Sequence, residues 1–306
     1  MSRVLIICGP TGCGKTDFAH KLASDNKGEI INCDSMQIYS EIPVLTASPS
    51  DKLKSQAPYH LYNFQSVELE FSLAKYTQLA ADQIFEVTNR GNLPIIVGGT
   101  GMYINALLYG YNNIPEISSE IREQTRALHA NVGQINFFKL LQQQDPSTAI
   151  KISPSDTQRS LRAYEVYQQT GQSIFTFQNE KNILPLADFD FKIVFLNPAR
   201  DLLYNICNQR LIDIFNNGAI EEARNLKDNF FPLDTPAAKA IGARELISYL
   251  NGECSFADSL SIAQQRTRNY AKRQITWFKH QLKDNNTLEY SNLEQFNQLK
   301  KDFSLN

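Results

Sequence analysis

Gly9-Pro10-Thr11-Gly12-Cys13-Gly14-Lys15-Thr16 fits the pattern Gly-x-x-x-x-Gly-Lys-Ser/Thr, a loop built to hold a polyphosphate. The glycines let successive backbone N–H groups converge on phosphate oxygens, and a helix opening at Lys15 adds the positive end of its dipole. The Lys15 ammonium can neutralise the terminal phosphate, while the Thr16 hydroxyl is the group that ligates Mg²⁺. The motif leaves open whether the ligand is ATP, GTP or a diphosphate without a nucleoside. Two further runs carry reactive groups, Asp34-Ser35-Met36-Gln37 and Gly98-Gly99-Thr100-Gly101. Asp34 is a candidate general base, or else the cap of a helix starting at Ser35, and both readings stand. Ser35 and Gln37 supply hydrogen bonds, and Thr100 offers a hydroxyl beside flexible backbone.

Net charge is −2, which by itself gives no reason to expect a nucleic acid. The distribution does. Between Gln264 and Lys283 lie Arg266, Arg268, Lys272, Arg273, Lys279 and Lys283 with no acidic residue among them, and a local basic footprint matters more than the total. At helical spacing, Ala271, Ile275, Phe278 and Leu282 make an apolar stripe, with Arg268, Lys272, Lys279 and Lys283 beside it. Arg266, Tyr270, Arg273 and Trp277 fall roughly opposite. Arginine interleaved with aromatics suits phosphate neutralisation and base stacking; a helix buried on two sides is the alternative. Elsewhere Gln158, Arg159 and Arg162 share one face of a helix that Ser155 caps and Gly171 stops, free to grip a polar ligand or to pair with Glu165.

These groups need a scaffold that brings them together. Val4 to Cys8 is a short apolar run of the kind buried on both faces of a parallel sheet. Glu29 to Cys33, Leu93 to Val97 and Phe189 to Leu196 read as further strands, alternating with helical stretches, so the fold class is α/β with a P-loop NTPase-like parallel sheet. In such a sheet ligands gather at the carboxyl ends of the strands, where the phosphate loop, Asp34 and Thr100 would all face one place. Residues 114–187, rich in Gln, Ser and Glu with little strand character, read as a helical insertion domain, leaving 1–113 and 188–306 as the core. After Asn197 the pattern is helical nearly to the end.

With 306 residues, 42% hydrophobic and 20% charged, the composition is that of an ordinary globular protein. No apolar stretch approaches the ~20 residues of a membrane helix. Structure starting at Val4 leaves no room for a targeting peptide. The five cysteines form no Cys-x-x-Cys pair, so neither a zinc site nor a disulfide framework is indicated. A cytoplasmic monomer is the expectation.

Taken in order, the phosphate loop, Asp34-Ser35-Met36-Gln37-Ile38-Tyr39, Val97-Gly98-Gly99-Thr100-Gly101-Met102-Tyr103, Asp156 to Tyr167 and Thr267 to Phe278 resemble the motifs of the tRNA dimethylallyltransferases (tRNA isopentenyltransferases). The likeness runs from Gly9 to Phe278. It implies two substrates, dimethylallyl diphosphate and the anticodon stem-loop of tRNA, and transfer of the dimethylallyl group to N6 of the adenine 3′ of the anticodon (tRNA position 37) with release of diphosphate. By motif position, Thr11 to Thr16 would hold the diphosphate, Asp34 would be the base at the amine, and Ser35, Met36 and Gln37 would line the adenine pocket. Thr100 and Arg122 would contact tRNA near the reacting nucleotide, and Gln158, Arg159, Ser160, Leu161 and Arg162 would hold the anticodon loop. A Cys-His zinc module found in eukaryotic members is absent, as in the bacterial form. Two segments depart from the family pattern: Ile42 to Pro49 lacks a glycine, and Tyr59-His60-Leu61-Tyr62-Asn63 stands for His-His-Leu-x-Asp. A P-loop kinase, a prenyltransferase acting on free adenine nucleotides and a non-catalytic RNA-binding protein each share part of the pattern.

Overall fold

The computed structural model describes residues 2–230, 236–282 and 287–291; Lys283, counted above in the basic stripe, lies outside them. The chain runs β1 (Ser2–Cys8), α1 (Lys15–Asn26), β2 (Gly28–Asn32), α2 (Asp51–Lys54), β3 (Tyr59–His60), α3 (Leu73–Asn89), β4 (Leu93–Gly98) and α4 (Gly101–Tyr109). Four helices follow, α5 (Ser119–Gln144), α6 (Pro146–Ala149), α7 (Thr157–Thr170) and α8 (Ile174–Gln178). The chain then returns through β5 (Phe189–Leu196), α9 (Arg200–Asn216), α10 (Ala219–Phe230), a 3₁₀ turn (Pro236–Lys239), α11 (Ala243–Leu250), α12 (Phe256–Gln281) and β6 (Thr287–Tyr290). Contacts divide it into two units, residues 1–108 with 185–306, and residues 109–184.

In the first unit the six strands lie in the order β3-β2-β4-β1-β5-β6, every pairing parallel. Alternation along β1 explains why its run is apolar throughout. Val4, Ile6 and Cys8 enter one core with Tyr76, Ile84, Tyr103 and Phe278, while Leu5 and Ile7 enter the other with Phe18 and Leu22. Because β4 sits between β2 and β1, the loops that follow these three strands are neighbours at one edge of the sheet. A third core joins Ile38, Ile42 and Leu45 to α9, α10 and α11.

The edge strands β3 and β6 correct the sequence reading, which saw neither and read helix nearly to the end. Two and four residues long respectively, they are too short to show an alternation. The second unit is helical, with its own core of Phe137, Phe138, Leu141, Ala163 and Val166. Its helix α7 is capped by Asp156, whose carboxylate accepts from the Arg159 N–H at 3.0 Å, and not by Ser155. Among the described residues no helix is long and apolar enough to cross a membrane.

One buried charge ties β2, β3 and α3 together. Glu29 is 3% exposed and accepts from Arg90 at 3.0 and 2.8 Å, from Asn92 at 2.7 Å, and lies 2.6 Å from His60 Nε2. The Arg90 hydrogen bonds, helped by Asn92 and His60, outweigh burial and hold its carboxyl at about 2, below the ordinary 4.5. A depressed folded-state value stabilises the fold above the unfolded value, and the contribution, at most about 3 kcal/mol, is lost as pH falls from 4.5 towards 2. Glu29→Gln is therefore expected to destabilise at pH 7, with the gap to wild type narrowing below pH 4.5 and closing towards pH 2, as read from denaturant midpoints.

Candidate active site

The phosphate loop joins β1 to α1. Gly14 adopts φ 83° at the helix N-cap, a left-handed conformation that a side chain would strain, and this turns the following amides towards the cleft. Lys15 Nζ donates to the carbonyls of Gly9 at 3.0 Å and Pro10 at 2.7 Å, which fixes the ammonium over its own loop. Burial pushes the Cys13 thiol up, against the opposing pull of Lys15, so Cys13 stays a thiol. Residues Thr11 to Asp17 line a cleft of about 750 Å³ together with Asp34, Gln37, Gly98 and Arg210.

Asp34 follows β2 and caps no helix. Its Oδ1 accepts from the Met36 N–H at 2.9 Å, an Asx turn, and Ser35 and Met36 continue as irregular backbone. The helix-cap alternative is thereby set aside, because no helix starts there. Behind it, the fully buried Asn32 accepts from the Asp34 N–H at 2.9 Å and donates to the carbonyls of Asp34 and Leu61. Thr100 closes the gap to the next strand end: its Oγ1 accepts from the Ser35 N–H at 2.9 Å and donates to Ser35 Oγ at 3.3 Å. The strand-end argument thus holds for the phosphate loop, Asp34, Ser35 and Thr100.

A second pocket, of about 360 Å³, is also lined by Asp34. Leu45, Leu211, Ile214 and Ile241 give it an apolar lining, and Arg210, Lys239, Tyr270 and Arg273 give it polar groups. Thr11, Asp34, Thr46, Ala47 and Arg210 line both spaces. Among the described residues lining the second pocket, Asp34 is the one carboxylate. Burial, reinforced by the Asp34 charge, pushes the Tyr270 phenol up, so it remains a hydrogen-bond donor at neutral pH.

Sequence reasoning named Gln37 but passed over Arg210 and Glu222. Gln37 donates to the carbonyls of Thr46 and Ala47 at 3.1 Å each, and Arg210 donates to Ala47 at 3.2 Å. The segment Ile42 to Pro49 therefore shapes the site, held from behind by Glu222, whose two oxygens accept from the Val44 and Leu45 N–H groups at 2.7 and 2.8 Å. Within it, Leu45 packs its side chain into the third core. Asn63 donates to Ser48 Oγ and to the Tyr39 carbonyl at 3.0 Å each and accepts from Lys54 at 2.8 Å. An aspartate at this place could not make the two donations. Arg210 sits on a helix whose sequence carries no motif, and only the fold reveals it.

Helix α12 needs correction. Ala271 and Phe278 are buried as the apolar stripe requires, but Trp277 also faces inward, packing on the first core and leaving no space for a methyl at Gly101. It is not a stacking platform. Arg266 is committed to the buried Glu245, which also accepts from the Gly242 N–H at 3.0 Å. Arg273, exposed, lies with its guanidinium 5.7 Å from the Tyr270 ring centre on the wall of the second pocket. The two arginines should therefore separate. Arg266→Ala is expected to cost roughly 1–2 kcal/mol of stability through the stranded carboxylate, discounted for the arginine's exposure. Arg273→Ala is expected to leave stability alone and to reduce the log–log salt slope of RNA binding by about 0.7–0.9. Thermal melts and a salt titration of both variants check this.

In the second unit, five consecutive residues cannot share one helix face. Gln158 and Arg159 are exposed, with Arg159 3.4 Å from Asp156. Ser160 is fully buried, its hydroxyl donating to the Asp156 carbonyl at 2.7 Å, so its side chain faces no ligand, while Leu161 is half-buried against the unit's own core. Arg162 lies 3.9 Å from the buried Glu165. Burial pushes the Glu165 carboxyl up while Arg162, Arg122 and Arg126 pull it down, which places Arg122 and the unforeseen Arg126 in the same basic group.

Residues 37–281 match a family model described as IPP transferase. A tRNA dimethylallyltransferase of Rickettsia massiliae is 53% identical over 301 residues, covering 98% of this chain and 83% of the relative. A tRNA dimethylallyltransferase of Rickettsia felis is 51% identical over 296 residues, covering 97% of this chain and 96% of the relative. Among solved structures, the full-length tRNA isopentenylpyrophosphate transferase of Bacillus halodurans superposes with a TM-score of 0.71 at 28% identity, over 99% of this chain and 96% of that one. A eukaryotic dimethylallyltransferase acting on tRNA gives a TM-score of 0.77 at 26% identity, over 100% of this chain and 78% of that one.

Proposed function

The chain belongs to the IPP transferase family, and on that premise we propose that it transfers a dimethylallyl group from dimethylallyl diphosphate to a tRNA adenine, at N6 of the base 3′ of the anticodon (position 37). One observation carries the assignment of roles: Asp34 is the one carboxylate, among the described residues, that lines both the phosphate-loop cleft and the second pocket. The diphosphate belongs at Thr11 to Thr16, and the adenine enters the second pocket beside Ser35 and Met36, with Gln37 on the wall of the phosphate-loop cleft. The C–N bond forms between N6 and the first prenyl carbon as the bond from that carbon to the diphosphate oxygen breaks. The electron pair leaves with diphosphate, and the N6 proton passes to the Asp34 carboxylate. An adenine amine is too weakly acidic to ionise first, so proton loss accompanies bond formation. Lys15, Arg210 and the loop N–H groups stabilise the charge that develops on the departing oxygens.

Mg²⁺ suits the groups at hand: the Thr16 hydroxyl and the Asp17 carboxylate line the phosphate-loop cleft, and Mg²⁺ commonly binds through one or two carboxylates together with substrate phosphates. Thr16 would hold it, and the ion would supply further neutralisation of the diphosphate. The basic groups around Arg273 and around Arg122, Arg126, Gln158, Arg159 and Arg162 are assigned to tRNA phosphates, and the enzyme is taken to act as a cytoplasmic monomer. The test is incubation with labelled dimethylallyl diphosphate, Mg²⁺ and bulk tRNA, followed by nucleoside analysis. Label in N6-dimethylallyladenosine is expected. Unlabelled tRNA, with phosphate moved from ATP to a small acceptor, would replace the reading with that of a kinase.

A further inference from the structure

Gln274, on α12, is 6% exposed, and both ends of its side-chain amide are used at long range. Its Oε1 accepts from the Thr11 N–H in the phosphate loop at 2.8 Å. Its Nε2 donates to the Gly99 carbonyl at 2.9 Å, in the loop that ends β4. Gly99 has no room for a methyl against that amide nitrogen, so the approach is close from both sides. The Gly99 loop in turn carries Thr100, which holds Ser35 beside Asp34. One residue earlier and one turn earlier on α12, Arg273 and Tyr270 line the second pocket.

A buried amide needs partners, and here one lies in the phosphate loop and the other beside Thr100, which holds the loop of Asp34. We infer that Gln274 is a positioning residue: it sets the loop that holds the diphosphate in register with the loop after β4, whose Thr100 anchors Ser35 beside the base. The inference rests on the proposed transfer reaction and concerns how its two halves are aligned. Neither substrate needs Gln274 in order to be gripped, since the Lys15 ammonium and the remaining loop amides stay in place on one side and the basic groups on the other. What depends on it is the separation of the prenyl carbon from N6. Misplacement by about 1 Å typically costs ~10²-fold in rate while leaving binding largely intact.

The experiment is a kinetic split combined with a double-mutant cycle. Gln274→Met keeps the length and apolar bulk but offers Thr11 and Gly99 no comparable hydrogen bond. It is expected to lower kcat by ~10²-fold while the KM for dimethylallyl diphosphate and for tRNA each change by less than about threefold. Gly99→Ala displaces the same amide from the other side and should lower kcat in the same direction. Because both changes break one link, the double variant should be no worse than the poorer single variant, within about twofold. Wild-type kcat in Gln274→Met would overturn the inference, as would multiplying effects in the cycle or a loss confined to KM. If Gln274→Met fails to fold, Gly99→Ala decides: reduced kcat at unchanged KM supports the alignment role, and unchanged kcat refutes it. Failure of the wild-type protein to label tRNA would instead count against the reaction itself, so the two failures are told apart.

Discussion

Lys15→Ala is expected to lower kcat/KM for dimethylallyl diphosphate by ~10²–10³-fold, the scale of losing one preorganised charge at a departing anion. Binding of tRNA should barely change. Lys15 lies over the carbonyls of Gly9 and Pro10 in the phosphate-loop cleft and is not among the residues lining the second pocket. Its removal deletes the positive charge facing the diphosphate but leaves the arginines assigned to RNA in place. The loop should persist, because the left-handed Gly14 and the Gln274–Thr11 hydrogen bond hold it independently of the lysine. A gel shift beside steady-state kinetics separates the outcomes. Loss of tRNA affinity as severe as the loss of turnover would mean that the loop grips RNA, and the division of substrates between the two spaces would fall.

Much of this arrangement was legible in the sequence because the signals were local. The apolar run before the glycines, the spacing of the phosphate-loop residues and the short strands ending in Asp34 and Gly98 each depend on a few neighbouring residues. The topology then made them converge without further information, since β4 lies between β1 and β2. What escaped was long-range or two-sided. Asn32 and Gln274 act through buried hydrogen bonds whose partners are distant in sequence or hidden in backbone, and neither residue stands out by type. Arg210 and Glu222 lie on helices that carry no motif. Trp277 misled for a different reason. A face opposite an apolar stripe looks solvent-bound in projection, yet α12 is packed on more than one side, so an aromatic there belongs to the core. Ser160 misled because a motif written as consecutive residues wraps around a helix, and only part of it can face a ligand.

The sharpest expectation concerns Asp34→Asn, which should remain folded, bind both substrates and transfer the prenyl group ~10²–10⁴ times more slowly. The structure makes this substitution unusually clean. Asparagine keeps an Oδ1, so the hydrogen bond from the Met36 N–H and the Asx turn survive. The backbone of residue 34 is fixed by Asn32 and not by its own side chain, which removes the main route to collateral damage. What disappears is a group able to take the N6 proton. Nothing else lining the second pocket can substitute: Arg210, Lys239 and Arg273 are cations, and burial keeps the Tyr270 phenol and the Cys207 thiol protonated. Asp34→Ala is the companion, since it removes the turn acceptor as well and should lose stability that the Asn variant keeps. Single-turnover transfer at saturating tRNA and dimethylallyl diphosphate, with thermal melts of both variants, gives the answer. Turnover near wild type in a folded Asn variant would strip Asp34 of its catalytic role and leave it as the anchor of a turn.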